Sequence, residues 1–312
     1  MYALIVINYG TAELIKKLLS SAKSYLSLNC LEEVIIVDNG FPGKGDIRES
    51  IDPREYSFPI KFVQNPQHSY SSGVNLGVSA ASSQVVILAN SDIEFIKDND
   101  PCILVEYLLA HSEVGIVGPQ QVYPSGNWQR SWGFIPCVQQ AIRTLLFLDS
   151  MNSIVEKMRF YVNIRSAKIL KKTHYLDGAF LVLRRQCFDD VGGFDEGFAF
   201  YAEDADLCYR ISLRGWKIAF LPNVKVSHIR GGTSSRERER AYAEKMQQAN
   251  IQFIHKHYGS MHAKAYIRIL CLAFQLRIAV LTAWARIIKT PSWAKRLNTI
   301  TFRYQALREL LR

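Results

Sequence analysis

Short apolar runs alternate with segments of helical period through the first 120 residues. The runs at 3–7, 34–37, 60–63, 85–88 and 114–117 are too short for buried helices and are apolar at nearly every position. Runs of this kind are strands buried on both faces, and helices between them imply a parallel sheet covered on either side. The intervening segments predict helices from an N-cap at Thr11 to about 28, over 71–82 and over 100–112, with a Gly/Pro-rich turn at 40–45. Strand character returns at 179–183, 218–221 and 224–226, and a long helix is expected over 235–257. Residues 137–172 read as a helical insertion over one lip of the sheet, basic toward its end at Arg159, Arg165, Lys168, Lys171 and Lys172. The predicted class is α/β, with a mostly parallel central sheet flanked by helices and a C-terminal helical appendage.

The appendage changes the picture of charge. Composition is ordinary for a globular chain of 312 residues, with 48% hydrophobic and 21% charged residues. Of the formal charge of +10, nearly all lies in 262–312, where ten Lys/Arg face the single acid Glu309. A near-neutral body with a basic tail points to an anionic partner surface. Within the tail, Arg268, Gln275, Thr282 and Lys289 recur every seventh residue, a narrow polar stripe on an otherwise apolar helix. Arg277 lies on the other side and is expected to interrupt a bilayer-spanning run, so the tail reads as a helix in the membrane interface. A helix packed on the body, or paired in a homodimer, is the other reading of the same pattern. No base-reading motif accompanies the charge, so nucleic acid is not an expected partner. The six cysteines are scattered without a C-x-x-C pair, which fits a reducing cytosol and no zinc cluster. Because 2–7 is already core-like, no signal peptide is expected.

Candidate chemistry gathers at strand ends. Parallel sheets bind ligands beyond the carboxyl ends of their strands, and the polar residues there are Asn8-Tyr9, Asp38-Asn39 and Asn90-Ser91-Asp92. Asp92 could hold a hard divalent ion bridging a nucleotide's phosphates. Gly73 and Gly77 enter a helix after Asn65, where backbone could approach a ligand and Asn75 could offer its amide. Neither a P-loop nor G-x-G-x-x-G is present. His228 ends a strand ahead of a glycine-rich run at 230–234, where imidazole could complete a metal shell and the run could fold over a diphosphate. Glu203, Asp204 and Asp206 crowd a helix start behind Phe198, Phe200 and Tyr201. Acids there cap orphan N–H groups, and an apolar wall also raises a carboxyl's pKa into the range of a general base. Trp132, in a Ser131-Trp132-Gly133 loop, reads as an exposed aromatic, whereas Trp216, just ahead of a strand, reads as core.

In their joint order these pieces resemble the family 2 glycosyltransferases of GT-A fold, and within them the rhamnosyltransferase-like branch that builds bacterial surface polysaccharides. The likeness runs over about 2–235 through Val6-Ile7-Asn8-Tyr9, Val37-Asp38-Asn39, Asn65 to Gly77, Leu88-Ala89-Asn90-Ser91-Asp92, Leu176-Asp177-Gly178-Ala179-Phe180, Val191-Gly192-Gly193-Phe194-Asp195-Glu196, Glu203-Asp204-Ala205-Asp206-Leu207 with Arg210, and His228. The resemblance implies a GT-A domain over 1–260, with a nucleotide-sugar half (1–120) and an acceptor half (121–260), followed by a basic amphipathic helical tail at 261–312. It implies inverting transfer of a hexose or deoxyhexose from a nucleotide-diphosphate sugar to a glycan or polyprenyl-diphosphate-linked acceptor, on the cytoplasmic face of the cell membrane. Asn8, Tyr9, Asp38, Asn65, Gly73, Asn75, Asn90 and Asp92 would then serve the donor. Asp92 and His228 would hold Mg²⁺ or Mn²⁺, and Asp204, with Glu203 next, would be the base. Gly178, Ala179, Trp132, Tyr201, Asp206 and Arg210 would lie on the acceptor side. Asn90 stands where the family's first D-x-D acid is expected, which thins the metal site. A glycoside hydrolase built on two carboxylates, and a non-catalytic sugar- or membrane-binding protein, are the competing classes.

Overall fold

The computed structural model describes residues 1–43, 45–198, 201–229, 236–287 and 291–310. The glycine-rich run after Ile229, Phe200 and Lys289 therefore lie outside the described residues. Along the chain the elements are β1 (Tyr2–Asn8), α1 (Ala12–Tyr25), β2 (Leu31–Asp38), α2 (Ile47–Ser50), β3 (Ile60–Gln64), α3 (Tyr70–Ala80), β4 (Val85–Asn90), β5 (Ile93–Phe95), α4 (Cys102–Ala110), β6 (Val114–Val122) and β7 (Trp132–Phe134). Then come α5 (Val138–Leu145), α6 (Leu148–Tyr161), β8 (Lys168–Ile169), β9 (His174–Leu176), β10 (Phe180–Arg184), α7 (Arg185–Asp189), α8 (Glu203–Leu213), β11 (Lys217–His228), α9 (Arg236–Tyr258), α10 (Ser260–Ile287) and α11 (Pro291–Glu309). They fall into two compact units, one of 1–133, 159–199 and 203–230, the other of 134–158, 200–202 and 231–312.

The first unit is built on a sheet in the order β3-β2-β1-β4-β10-β6-β11-β5, with β8 paired to β11. β1 to β4 run parallel, as their apolar runs predict. Alternate residues serve opposite faces: Tyr2, Leu4 and Val6 join one buried cluster, and Ala3, Ile5 and Ile7 the other. Two departures from the expected pattern shape the site. β10 is antiparallel to both of its neighbours, β4 and β6. The runs at 218–221 and 224–226 form one strand, β11, whose register with β6 shifts between Leu221 and Lys225. Periodicity reports burial but not strand direction, so neither feature shows in the apolar pattern. β5 then leaves the end of β4 and pairs antiparallel with β11, setting Ile93 opposite His228.

α8 is tied to the Val191–Gly193 turn through a buried ion pair. Arg210 Nε donates to Asp206 Oδ2 at 2.6 Å, while its Nη1 and Nη2 donate to the carbonyls of Val191 and Gly193 at 2.7 and 2.8 Å. Asp206 is wholly buried. These two residues, expected on the acceptor side, are thus engaged inside the fold.

The second unit is helical. α10 packs against α5, α9 and α11, burying Tyr266, Leu270 and Phe274. Arg268, Gln275 and Thr282 are exposed, the polar stripe read from the sequence. Arg277 donates through Nε to the Thr144 carbonyl at 3.2 Å and lies over the Phe147 ring. It does not break the apolar run as expected. Ser260–Ala283, with a mean hydropathy of 1.6, is long and apolar enough to cross a membrane by length and composition, although 33% of its apolar window is buried inside the protein.

Removing one member of a buried ion pair leaves the other charge without compensation, at a cost of about 3–5 kcal/mol. Asp206→Ala is therefore expected to lower unfolding free energy by about that amount in urea denaturation, and substitution of both Asp206 and Arg210 by apolar residues of similar size to recover much of the loss.

Candidate active site

The carboxyl ends of β1, β2 and β4 carry the polar residues expected there, and the structure divides them by what they touch. Asn8 Nδ2 donates to Asp38 Oδ1 at 2.8 Å, and Asn8 Oδ1 accepts from the Thr11 N–H at 2.9 Å and its hydroxyl. Thr11 makes no side-chain cap for α1; its own N–H and hydroxyl are held by Asn8 from the strand end. Asp38 also accepts from the Gly40 N–H, so a buried carboxylate and amide fix this rim. Tyr9 is exposed, with its ring edge-on to Phe41. Asn65 is buried and bonds Asn39, Ser69 and Ser72. Gly73 is required by that same cluster, since a Cβ there would meet Asn39 Oδ1 at 2.8 Å. Asn75 bonds the backbone of Phe194 in both directions and Glu196 Oε1, pinning the turn beyond Gly193. The asparagines of the Asn65–Asn75 segment thus shape the wall behind the strand ends.

At β4 the picture is different. The Asn90 N–H donates to the Ala179 carbonyl at 2.9 Å, because antiparallel β10 brings 178–179 beside it. The Gly178 N–H donates to Asp204 Oδ2 at 2.9 Å. The Tyr70 hydroxyl bonds Asn90 Oδ1 at 3.3 Å and the Gly178 carbonyl at 3.4 Å. Strand end, glycine turn and the first turn of α8 are therefore one cluster. Gly178 is held close, since a Cβ there would lie 3.0 Å from Asp204 Cβ. Tyr201 and Ala202 lead into α8 with φ of 69° and 63°, left-handed values that cost non-glycine residues strain.

The two acids of α8 are electrostatically unusual. Burial, then the charge of Asp177, raises the Asp204 carboxyl to about 7, against the lowering effect of hydrogen bonds from Gly178 and Ala205. Burial, then the neighbouring Asp204, pushes Glu203 up as well. Glu203 Oε2 is shielded from solvent and has no hydrogen-bond partner. The Tyr70 hydroxyl is raised by burial and by the charges of Glu203, Asp204, Asp177 and Asp92.

A second constellation forms where β5 meets β11. His228 Nε2 lies 3.4 Å from Asp92 Oδ1. On the other side of the ring, Nδ1 faces Gln121 Oε1 at 3.0 Å and Gln129 Oε1 at 2.8 Å. The amide orientations follow from their other partners: Gln129 Nε2 donates to the His228 carbonyl and Gln121 Nε2 to Asp177 Oδ1. Nδ1 must then carry the proton, which leaves Nε2 of a neutral ring as a lone pair facing a carboxylate oxygen. Two acceptors at 3.4 Å are stable if the ring is protonated or if a cation lies between them. Imidazole nitrogen and carboxylate oxygen at this separation are a donor pair that one divalent cation can bridge. Among the described residues no group of three or more His, Cys, Asp or Glu could hold a metal.

Trp132 is not the exposed stacking surface expected from its loop. It lies on β7, buried, with Lys168 Nζ 3.9 Å from its ring centroid and His174 edge-on at 5.0 Å. Phe198 is likewise buried. Trp216 packs on the core as expected, donating to Asp190. Sequence reasoning overlooked Tyr70, Gln121 and Gln129. Each belongs to a common residue type without motif character, and only the fold brings it to the acids or the histidine.

The chain matches the family model for glycosyl transferase family 2 over residues 3–192. It belongs to that family. A model for glycosyl transferase family group 2 also matches over 98–307. The chain is 38% identical over 63 residues to the N-acetylglucosaminyl-diphospho-decaprenol L-rhamnosyltransferase of Mycobacterium tuberculosis, covering 20% of this chain and 20% of that protein. It is 37% identical over 76 residues to the rhamnosyltransferase WbbL of Escherichia coli, 22% of this chain and 29% of that one. The chain thus aligns with less than a third of either relative. Among solved structures, the mannosyltransferase PcManGT from Pyrobaculum calidifontis in complex with GDP-Man and Mn²⁺ is similar at a TM-score of 0.63 and 15% identity, covering 99% of this chain and 86% of that one. That likeness shows the fold, and the GT-A architecture expected from the sequence is the one observed. In this glycosyltransferase family member, the two constellations frame the ends of β4 and β11.

Because Glu203 and Asp204 hold their protons more tightly folded than unfolded, they favour the fold below the ordinary carboxylate range, and that contribution is lost as pH rises through neutrality. Glu203→Gln is expected to raise Tm by roughly 2–4 °C at about pH 8, with the gain vanishing near about pH 4. A melting series across pH checks it.

Proposed function

We propose that this protein is an inverting glycosyltransferase that moves a hexose or deoxyhexose, rhamnose-like, from a nucleotide-diphosphate sugar to a glycan or lipid-linked acceptor at the inner face of the cell membrane. The observation that carries this reading is Asp204: a carboxyl with a pKa raised to about 7, bonded through Gly178 to the same cluster as Asn90 at the end of β4. A group with that pKa is half ionised near neutrality and strong enough as a base to take a hydroxyl proton.

In the proposed reaction an acceptor hydroxyl attacks the anomeric carbon from the face opposite the diphosphate, and its proton passes to an oxygen of Asp204. The bond to the diphosphate breaks as the new glycosidic bond forms, which inverts the anomeric centre. Asp38, Asn8 and Tyr9 rim the donor's base and ribose, with Asn65, Gly73 and Asn75 supporting the wall behind. Gly178 and Ala179 place the acceptor edge beside Asp204. Asp92 and His228 are the residues that would hold Mg²⁺ or Mn²⁺, which when bound neutralises charge on the leaving diphosphate. PcManGT, similar in fold, is in complex with GDP-Man and Mn²⁺, which accords with a donor and cofactor of these classes. Glu203, itself raised by burial and by the Asp204 charge, is the alternative base.

Asp204→Asn is expected to lower kcat by about 10²–10⁴-fold while donor binding stays near wild type and the melting temperature does not fall. In the parent protein kcat/KM should climb through pH about 7 as Asp204 ionises. Transfer by the variant at wild-type rates would remove Asp204 from the mechanism. A thermal-shift panel of nucleotide sugars, with and without Mn²⁺, identifies the donor, since a ligand at a hundred times its Kd stabilises the fold by about 2.7 kcal/mol.

A further inference from the structure

α6 turns its apolar face outward. Met151, Ile154, Val155 and Met158 recur at the i, i+3, i+4, i+7 spacing that ordinarily faces a core, yet they are exposed by 59%, 58%, 52% and 61%. Leu146 and Phe147, in the turn from α5, are exposed as well, at its N-terminal end. Single exposed apolar residues are normal on any protein, but a contiguous stripe of them marks an interaction surface. None of these residues belongs to the strand-end clusters described above.

Charge says what covers the stripe. The unit that carries the stripe, of residues 134–158, 200–202 and 231–312, holds seventeen Lys/Arg against six Asp/Glu. A second copy of the chain brought onto the stripe would set one net-positive unit against another, in a protein whose formal charge is already +10. An anionic bilayer instead supplies both demands, acyl chains for the stripe and negative headgroups for the cations. An amphipathic helix with apolar residues on one side and Lys/Arg nearby is the form that lies in a membrane interface.

We propose that α6 is a membrane-docking helix whose Met151, Ile154, Val155 and Met158 insert among the acyl chains of an anionic leaflet. The assignment differs from the tail reading, because it places the contact on the segment between β7 and β8 and not on α10. It extends the lipid-linked acceptor reading but does not depend on it, since vesicle binding requires neither donor nor turnover.

The test is co-sedimentation of the full-length protein with vesicles of phosphatidylcholine alone and of phosphatidylcholine with an equal part of phosphatidylglycerol. Wild type should bind the anionic vesicles, and bind them less as salt is raised. Met151→Gln/Val155→Gln/Met158→Gln keeps good helix formers on the helix and is expected to lower partition by roughly a hundred-fold. Its melting temperature and donor-induced thermal shift should match wild type, which separates lost docking from lost folding or a wrong functional assignment. Leu272→Gln/Leu276→Gln on α10 is the comparison, expected to change partition by less than about three-fold. Retention of vesicle binding by the α6 variant would overturn the proposal. So would loss through the α10 variant alone, or a wild-type dimer in light scattering that the α6 variant converts to monomer.

Discussion

The ladder between β10 and β4 is the constraint on which the site rests. Because β10 enters antiparallel, residues 178–179 come alongside the end of β4, and the Asn90 N–H can donate to the Ala179 carbonyl. That placement leaves the Gly178 N–H pointing to Asp204 at the first turn of α8. Tyr70 closes the ring from α3 by bonding both Asn90 and Gly178. The end of β4 and a high-pKa acid thus share one short hydrogen-bonded circuit. If β10 were parallel, its amino end would enter from the far side of the sheet and the glycine turn would lie elsewhere.

Burial and charge act together on that circuit. Desolvation disfavours the ionised carboxyl, and nearby Asp177 adds repulsion, while two backbone N–H groups pull the other way. The net result is a carboxyl poised near neutrality, at a cost in stability above that pH. Glu203, with an oxygen shielded and unpartnered, carries part of the same cost. Groups whose environment opposes their ordinary ionisation are concentrated at functional sites. Here the surrounding structure pins them: Arg210 and Asp206 fix α8 to the Val191–Gly193 turn, and Asn75 fixes the chain after it.

The histidine at the end of β11 shows how glutamines can set chemistry without reacting. Gln121 and Gln129 each present an amide oxygen to Nδ1 and commit their NH₂ groups elsewhere. The ring's orientation and tautomer follow, and Nε2 is aimed at Asp92. Such supporting hydrogen bonds determine how well a histidine serves as a ligand.

Much of this was legible in the chain itself. Apolar runs of strand length located the sheet, since burial on both faces leaves a continuous hydrophobic signature, and the order of motifs identified the family. The acids of α8, Asp92 and His228 stood out as carboxylates and an imidazole at strand and helix ends, although capping is an equally ordinary use for an acid at a helix start. What the sequence could not specify was direction and partnership. The antiparallel sense of β10, the crossing of β5 to β11, and the roles of Tyr70, Gln121 and Gln129 arise from contacts between residues far apart in the chain. Asp206 and Arg210 carried the same ambiguity, as a buried ion pair and a substrate contact use the same residue types. Trp132 was lost to the core because β7 finds β9, a pairing no local pattern announces. Local composition fixes what a segment can bury; only the tertiary structure decides which polar groups are left to face one another.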